Sequence, residues 1–104
     1  MPAKFRVIVS QRAFADLDEI LVFVGRTSVQ NARAVVDALW TDITSLALFP
    51  FRHRAHQRRR DAARNVYVMP SPPFLVYYQI IQNHFSVRVL RVIHGARRQP
   101  RRLP

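Results

Sequence analysis

Three cationic side chains lie near the end of the chain at a spacing that could surround one anion. Arg91, His94 and Arg97 follow one another at intervals of three residues. Cleavage of a phosphodiester within RNA needs a base for the 2′-hydroxyl, an acid for the leaving oxygen and positive charge on the phosphate. His94 could act as base or acid, while Arg64, Arg91 and Arg97 could hold the phosphate. The alternatives are a structural histidine at a strand end and arginines on a solvated or partner-facing surface.

Other residue types exclude several kinds of site. The chain has no cysteine, which removes disulfides and thiolate chemistry. His53 and His56 are three residues apart, but they lie among arginines that would repel a cation, so no metal site is predicted. Gly25 and Gly95 are the only glycines, so neither a phosphate-binding loop nor a nucleophile elbow is present. We therefore expect no cofactor.

The charge balance predicts a polyanionic partner. The chain has 17 basic and 6 acidic residues, for a net charge of +11. All the bases except Lys4 are arginines, whose planar group pairs bidentately with phosphate or carboxylate. Only Asp61 among the acids follows position 50, so the second half forms the basic surface. The predicted target- or partner-binding residues are Arg58, Arg59, Arg60, Tyr77, Arg88 and Arg98.

Length and hydrophobicity place the chain among single-domain globular proteins. Its 104 residues suit one domain over 1–104, and an apolar fraction of 49% excludes a disordered chain. No segment approaches the roughly 20 apolar residues that a membrane span needs, and the N-terminus has no signal-type apolar core. These features predict a soluble, cytoplasmic protein.

The first half of the sequence predicts one strand followed by two helices. The strand is Phe5–Val9, and Ser10 is a suitable N-cap for a helix that ends at about Val24. Ser28 is the predicted N-cap of a second helix, which continues to about Leu48. The predicted apolar face of the first helix is Phe14, Leu17, Leu21 and Val24, with Asp16, Asp18 and Glu19 on the solvated face. That of the second is Ala32, Val35 or Val36, Leu39, Ile43 and Leu46.

The second half predicts three strands after a basic loop. Residues 51–64 match no periodic template and are rich in arginine, which indicates a loop. One strand is predicted from Arg64 to Met69, followed by a proline-rich turn at 70–73. Phe74–Ile81 is almost entirely apolar, as in a central strand covered on both faces, and forms a hairpin with a strand from Ser86 to about Ile93. Residues 97–104 form a basic tail.

The predicted order of elements is therefore β-α-α-β-β-β. Consecutive strands with short turns form an antiparallel sheet, and the short link between the helices makes them an antiparallel hairpin. The helical hairpin must cover one face of the sheet, which gives a two-layer α+β domain.

The order and spacing of these segments resemble the toxins of the RelE/ParE superfamily of bacterial toxin–antitoxin modules, over nearly the whole chain. The matching motifs are Ser10-x-x-Ala13-x-x-Asp16-Leu17-x-x-Ile20, Leu46-x-x-Phe49-Pro50, Arg64, Val76-Tyr77-Tyr78-x-Ile80, and Val87-x-Val89-Leu90-Arg91-Val92-Ile93-His94-Gly95-x-Arg97. The resemblance implies a cognate acidic antitoxin that wraps the toxin in a hetero-oligomer, and growth inhibition by the free toxin.

The resemblance leaves the target open between two branches and a third possibility. ParE-like members act on DNA gyrase and are not enzymes, whereas RelE-like members are ribosome-dependent mRNA endonucleases. The helical hairpin, the Asp16-Leu17-x-x-Ile20 motif and the Leu46-x-x-Phe49-Pro50 ending are more ParE-like, so a gyrase inhibitor is expected. The nuclease alternative would use Arg64, Arg91, His94 and Arg97. The third is a non-catalytic or degenerate toxin that acts as a binding module.

Overall fold

The computed structural model describes residues 4–96, which contain two α-helices and five strands. The helices are α1 (Gln11–Gly25) and α2 (Val29–Ser45). The strands are β1 (Arg6–Val9), β2 (Arg54–Gln57), β3 (Val66–Ser71), β4 (Phe74–Ile81) and β5 (Ser86–His94). The predicted tail, residues 97–104, lies outside the described residues.

The strands form one sheet in the order β1-β5-β4-β3-β2, and the predicted α+β class is confirmed. Strands β2 to β5 pair antiparallel in succession, but β1 runs parallel to β5. The sheet is therefore mixed rather than wholly antiparallel. A parallel pair needs a long crossover connection, and the two helices that follow β1 belong to the long path that leads to β5.

The segment 51–64, which was predicted to be a loop, contains an additional strand. Strand β2 pairs with β3, with an irregular register between Ala55 and Gln57. It has four residues and forms the edge of the sheet. An edge strand is held by backbone hydrogen bonds and needs no apolar alternation, so the hydrophobic pattern could not reveal it.

Both predicted helix N-caps are confirmed. The Oγ of Ser10 accepts a hydrogen bond from the backbone N–H of Ala13 at 3.1 Å, and the Oγ of Ser28 accepts one from Asn31 at 3.1 Å. Each bond satisfies one of the backbone donors that the first turn of a helix leaves unpaired. Helix α2 ends at Ser45, three residues before the predicted end.

The buried face of α1 differs from the predicted one. The buried residues are Ala13, Asp16 and Leu17, whereas Phe14 and Leu21 are 48% and 39% exposed. Helical periodicity defines apolar stripes but does not decide which of two neighbouring stripes faces the sheet. In α1 the stripe that contains Ala13 and Asp16 faces the sheet, and both residues lie on the face that packs toward β5.

The sheet is covered on both faces, as predicted for β4. The larger core lies between the sheet and the helices, and a smaller one lies on the opposite face. Tyr78 belongs to the first and Tyr77 to the second, since neighbouring residues of a strand point to opposite faces. The smaller core consists of Val66, Val68, Tyr77, Leu90 and Ile93.

Candidate functional site

A buried ion pair joins α1 to β5. The guanidinium of Arg91 donates to Asp16 through Nε at 2.8 Å and Nη2 at 3.1 Å, and the backbone N–H of Val92 donates to the same carboxylate at 2.9 Å. Asp16 is only 4% exposed. The hydrogen bond to Asp16 is the main cause that raises the pKa of Arg91. Both charges are thus paired in a bidentate geometry with an additional backbone donor.

This pair corrects the predicted position of Asp16 and bears on the role predicted for Arg91. Asp16 was placed on the solvated face of its helix, but it is buried against β5. Arg91 was a candidate phosphate ligand, but its guanidinium is bound to a carboxylate. A phosphate would have to displace Asp16 and leave that carboxylate buried without its partner, which is costly. Arg91 therefore holds the helix on the sheet.

His94 ends β5 and lies beside the turn between β3 and β4. It is paired in register with Phe74, and the two rings are 5.5 Å apart between centroids. Its Nδ1 accepts a hydrogen bond from the backbone N–H of Ala96 at 3.0 Å. The N–H of Gly95 donates to the carbonyl of Pro73 at 2.7 Å, and a β-carbon at Gly95 would lie 3.2 Å from that oxygen. These contacts give His94 the features of a strand-ending residue.

Two of the described candidate catalytic residues, Arg64 and His94, lie apart. The carbonyl of Arg64 accepts a hydrogen bond from the Nε2 of Gln79 at 3.4 Å, and Gln79 is paired in register with Arg88. His94 is paired with Phe74, five residues from Gln79 along β4. At the rise of an antiparallel strand, the two positions are about 17 Å apart. Arg97 lies outside the described residues.

The predicted binding residues are divided between surface and core. Arg58, Arg60 and Arg88 are exposed. Arg59 is half-buried, and its backbone N–H donates to the Oδ1 of Asn65 at 2.6 Å. Tyr77 is only 1% exposed, so it cannot offer its ring to a partner as predicted, because it lies in the smaller core. Arg98 lies outside the described residues.

A concave apolar groove opens beside the Asp16–Arg91 pair. It has a volume of about 790 Å³ and lies between the second half of α1, the start of α2 and the end of the sheet that carries His94. Its walls include Val22, Phe23, Phe74 and Ile93. Because both helices and the sheet contribute, the groove could not be located from any single segment.

The opposite end of the sheet carries exposed phenylalanine side chains. Phe49, Phe51 and Phe85 are 62%, 51% and 52% exposed. The ring of Phe5 lies between two of them, at centroid distances of 6.3 Å to Phe51 and 5.6 Å to Phe85. We call this surface, formed by Phe5, Phe49, Phe51 and Phe85, the aromatic end.

Two residues of the aromatic end have left-handed backbone conformations. Phe49 has φ 53° and Phe85 has φ 45°. Residues with a β-carbon rarely adopt this region, and bulky ones are outliers there. Each such residue costs roughly 1–2 kcal/mol relative to the right-handed region. These two turns would form more readily with glycine or asparagine, so local stability does not explain the phenylalanines.

Hydrogen bonds beside the aromatic end, one of them buried, hold the single helical turn Pro50–Arg52, which carries Phe51 and begins just after Phe49. The hydroxyl of Tyr78 donates to the carbonyl of Pro50 at 2.6 Å. The guanidinium of Arg52 donates to the carbonyls of Leu48 at 2.6 Å and Phe49 at 3.2 Å. The chain therefore fixes the position of these rings from below.

A partly buried histidine packs beside this hydrogen-bond network. The ring of His53 contacts Tyr78 edge-on at a centroid distance of 6.3 Å, and its Nε2 is buried with no hydrogen-bond partner among residues 4–96. Burial, with a further contribution from the cation of Arg52, lowers the pKa of His53. Burial also raises the pKa of Tyr78. Each shift favours the neutral form of the side chain.

Sequence reasoning missed the two features that distinguish the ends of the sheet. The burial of Asp16 had a signal, since Ala13, Asp16, Leu17 and Ile20 share one stripe at helical spacing. The left-handed conformations of Phe49 and Phe85 had no signal, because neither turn contains the glycine that usually marks such a residue.

The described residues show neither a metal centre nor a membrane span. No three His, Asp or Glu side chains within 4–96 gather as metal ligands would. Neither α1 nor α2 is long and apolar enough to cross a membrane.

Comparison with known proteins places the chain in a family. The family model for the ParE toxin of the type II toxin–antitoxin system parDE matches residues 7–99. No curated protein sequence matches the chain.

Solved structures share its fold at low sequence identity. A chromosomal ParDE toxin–antitoxin structure from P. aeruginosa matches 88% of this chain and 97% of its own, with 17% identity and a TM-score of 0.67. The RelBE2 complex from Mycobacterium tuberculosis matches 91% of this chain and 95% of its own, with 23% identity and a TM-score of 0.59. A free E. coli RelE mutant matches 89% of this chain and 85% of its own, with 16% identity and a TM-score of 0.57. Since the family model covers nearly the whole chain, including both helices and every strand but the first residue of β1, this protein belongs to the ParE toxin family of type II toxin–antitoxin systems.

Proposed function

We propose that this toxin inhibits growth by acting on DNA gyrase without any catalytic step of its own. The observation that carries the proposal is the pairing of Arg91 with buried Asp16. It removes one phosphate ligand from the nuclease alternative, and Arg64 and His94 lie near opposite ends of β4. Membership of the ParE family supports the gyrase target. Gyrase acts on DNA inside the cell, so the toxin works in the cytoplasm.

We also propose that an acidic antitoxin neutralises the toxin in a hetero-oligomer. The net charge of +11 and the exposed Arg58 and Arg60 favour an acidic partner. Two of the structures that share this fold come from toxin–antitoxin systems. A small acidic protein encoded next to the toxin gene should co-purify with it. The double variant Arg58→Gln, Arg60→Gln should reduce the salt dependence of that complex.

Two assays on the purified toxin test the target. The toxin should block supercoiling by gyrase and leave mRNA intact on translating ribosomes. The His94→Ala variant should inhibit gyrase as strongly as the wild type, because His94 has no acid–base role in this proposal. Cleavage of mRNA without an effect on supercoiling would establish the nuclease alternative instead. Loss of all toxicity in His94→Ala with an unchanged melting temperature would also contradict the proposal.

A further inference from the structure

The two strained phenylalanines have a physical cost that the fold does not require. Phe49 and Phe85 have positive φ angles, where glycine has no steric penalty. More than half of each side chain is exposed to water, so most of each ring is not used within the fold. Strained conformations in sparsely populated regions concentrate at functional sites, where the surroundings hold them in place. The strain therefore points to a use for the rings outside the folded chain.

Phe5, Phe51 and Phe85 form a contiguous aromatic surface, and Phe49 lies close to Phe51 in sequence. Leu48, just before Phe49, is 46% exposed, and Phe5 joins Phe51 to Phe85. Contiguous apolar surface of this kind marks sites of protein association. Aromatic side chains are also the residue type most enriched among those that dominate binding energy.

The aromatic end is less suited to nucleic acid than to protein. Base stacking on aromatic rings is usually combined with cations that contact the phosphates. Arg52, next to Phe51, already donates to the carbonyls of Ser45, Leu48 and Phe49 and to the Ser45 hydroxyl, so the end of α2 occupies its guanidinium. Lys4 and Arg6, next to Phe5, are exposed, but they are two cations beside four phenylalanines.

The projecting rings of the aromatic end favour a folded protein as their partner over a peptide segment that wraps the toxin. Half-exposed phenylalanine rings project from the surface and need pockets to receive them, which a folded protein supplies. A peptide segment that wraps the toxin needs a concave site. This molecule has such a site elsewhere, in the groove between the helices and the end of the sheet that carries His94.

We propose that Phe49, Phe51 and Phe85 insert into apolar pockets on the folded protein target of the toxin, at a surface with acidic residues beside those pockets. This inference rests on the proposed function, in which that target is gyrase. We infer the acidic residues on the target from two cations of the toxin, Lys4 and Arg6, which flank Phe5 and are both exposed. These two cations steer an acidic surface toward the rings.

Substitution at the left-handed positions separates binding from folding. Phe49→Gly and Phe85→Gly remove a ring and also the steric cost of the backbone conformation. Phe49→Asn does the same with less added freedom in the unfolded chain. We expect each variant to need about tenfold more toxin for half-inhibition of supercoiling, as truncation of a binding hot spot does. The melting temperature of Phe49→Asn should equal or exceed that of the wild type.

Two matched controls accompany these variants. Phe49→Tyr keeps a ring at the same position and should inhibit gyrase nearly as well as the wild type. Phe14→Ala removes another half-exposed phenylalanine, from the helical hairpin, and should leave inhibition unchanged.

The outcomes distinguish this inference from the proposed function. If the wild type inhibits gyrase and the glycine variants inhibit it equally well, the aromatic end is not the binding surface, although the proposed function stands. If inhibition falls only together with melting temperature, in Phe49→Asn as well, the rings are structural and the inference is wrong. If the wild type does not inhibit gyrase, the proposed function is wrong, and growth arrest by the same variants decides the inference. Arrest equal to that by the wild type overturns it, and loss of arrest at normal stability supports it for another protein target.

Discussion

The two ends of the sheet differ in which side chains are occupied within the fold and which are exposed to solvent. At one end, Asp16, Arg91 and His94 carry the groups that could do chemistry, but these groups are already paired. The Asp16 carboxylate accepts from the Arg91 guanidinium and from a backbone N–H, and His94 accepts from another backbone N–H. At the other end Phe49 and Phe85 have no titratable group, yet they are exposed in strained conformations. We call the first the ion-pair end, to contrast it with the aromatic end.

The contrast teaches that residue type alone does not identify a functional surface. A buried charge must be paired, so Arg91 is committed to Asp16 by the cost of leaving either alone. An exposed ring in a strained turn has no partner within the fold that it must keep. The two ends therefore differ in whether their side chains are accessible to a partner, rather than in their chemical type, and substitutions can test this at each end.

The largest expected effect is at the ion-pair end. Asp16→Ala removes the acceptor of two guanidinium bonds and of the Val92 N–H. We expect the free energy of unfolding to fall by about 3 kcal/mol, near the lower limit for a broken buried pair because Arg91 is partly accessible to water. Urea unfolding measures this. Asp18→Ala, an exposed acid on the same helix, should change stability by less than about 0.5 kcal/mol. Equal effects would show that the pair does not hold α1 to β5.

The next effect is at the support of the aromatic end. Tyr78→Phe removes the hydroxyl that donates to the Pro50 carbonyl and leaves that buried acceptor unpaired. The free energy of unfolding should fall by about 1–2 kcal/mol.

The pH dependence of the same variant sharpens this test. Burial raises the folded-state pKa of Tyr78, so the folded state retains its proton when the unfolded state begins to lose it. The wild type should lose stability as the pH rises above about 10, and Tyr78→Phe should lose less over that range. A wild type with stability independent of pH in this range would contradict the buried hydroxyl.

A smaller effect is expected at the arginine that joins α2 to the aromatic end. Arg52→Ala removes bonds to the Leu48 and Phe49 carbonyls and to the Ser45 hydroxyl. Because water can replace these exposed bonds, the free energy of unfolding should fall by only about 1 kcal/mol. Arg52→Lys keeps the charge but not the fork of donors, so it should recover part of the loss. Full recovery by lysine would mean that charge near the helix end matters more than the geometry of the bonds.

The smallest effect concerns the pH dependence of the aromatic end. Burial, followed by the Arg52 cation, lowers the folded-state pKa of His53, so the unfolded state binds a proton first as the pH falls. Stability is therefore fully present above about pH 6.5 and is lost as the pH drops toward the lowered pKa. His53→Phe should reduce this loss in urea unfolding at matched pH values, whereas exposed His84→Gln should retain it. An unchanged profile in His53→Phe would place the pH sensitivity elsewhere.

Much of the scaffold was predictable because it follows local rules. The caps at Ser10 and Ser28 and the hairpin of β4 and β5 depend on neighbouring residues, and each is confirmed. The edge strand Arg54–Gln57 was missed, since it is defined by pairing with β3. The candidate site was less predictable than the scaffold. The sequence indicated that Arg91 and His94 lie at a strand end, but not that the Arg91 guanidinium is paired with the Asp16 carboxylate.

The order of helices and strands, the apolar central strand and the resemblance to the RelE/ParE toxins follow from the amino-acid pattern alone, because periodicity, caps and motif spacing are local properties. Which charges are paired and which rings are exposed depends on the folded chain. Asp16 and Arg91 are 75 residues apart, and Phe5 and Phe85 meet only where β1 lies beside β5. Such contacts depend on the packing of distant segments, and the free energy of burying a charge or a ring depends on what each one meets there.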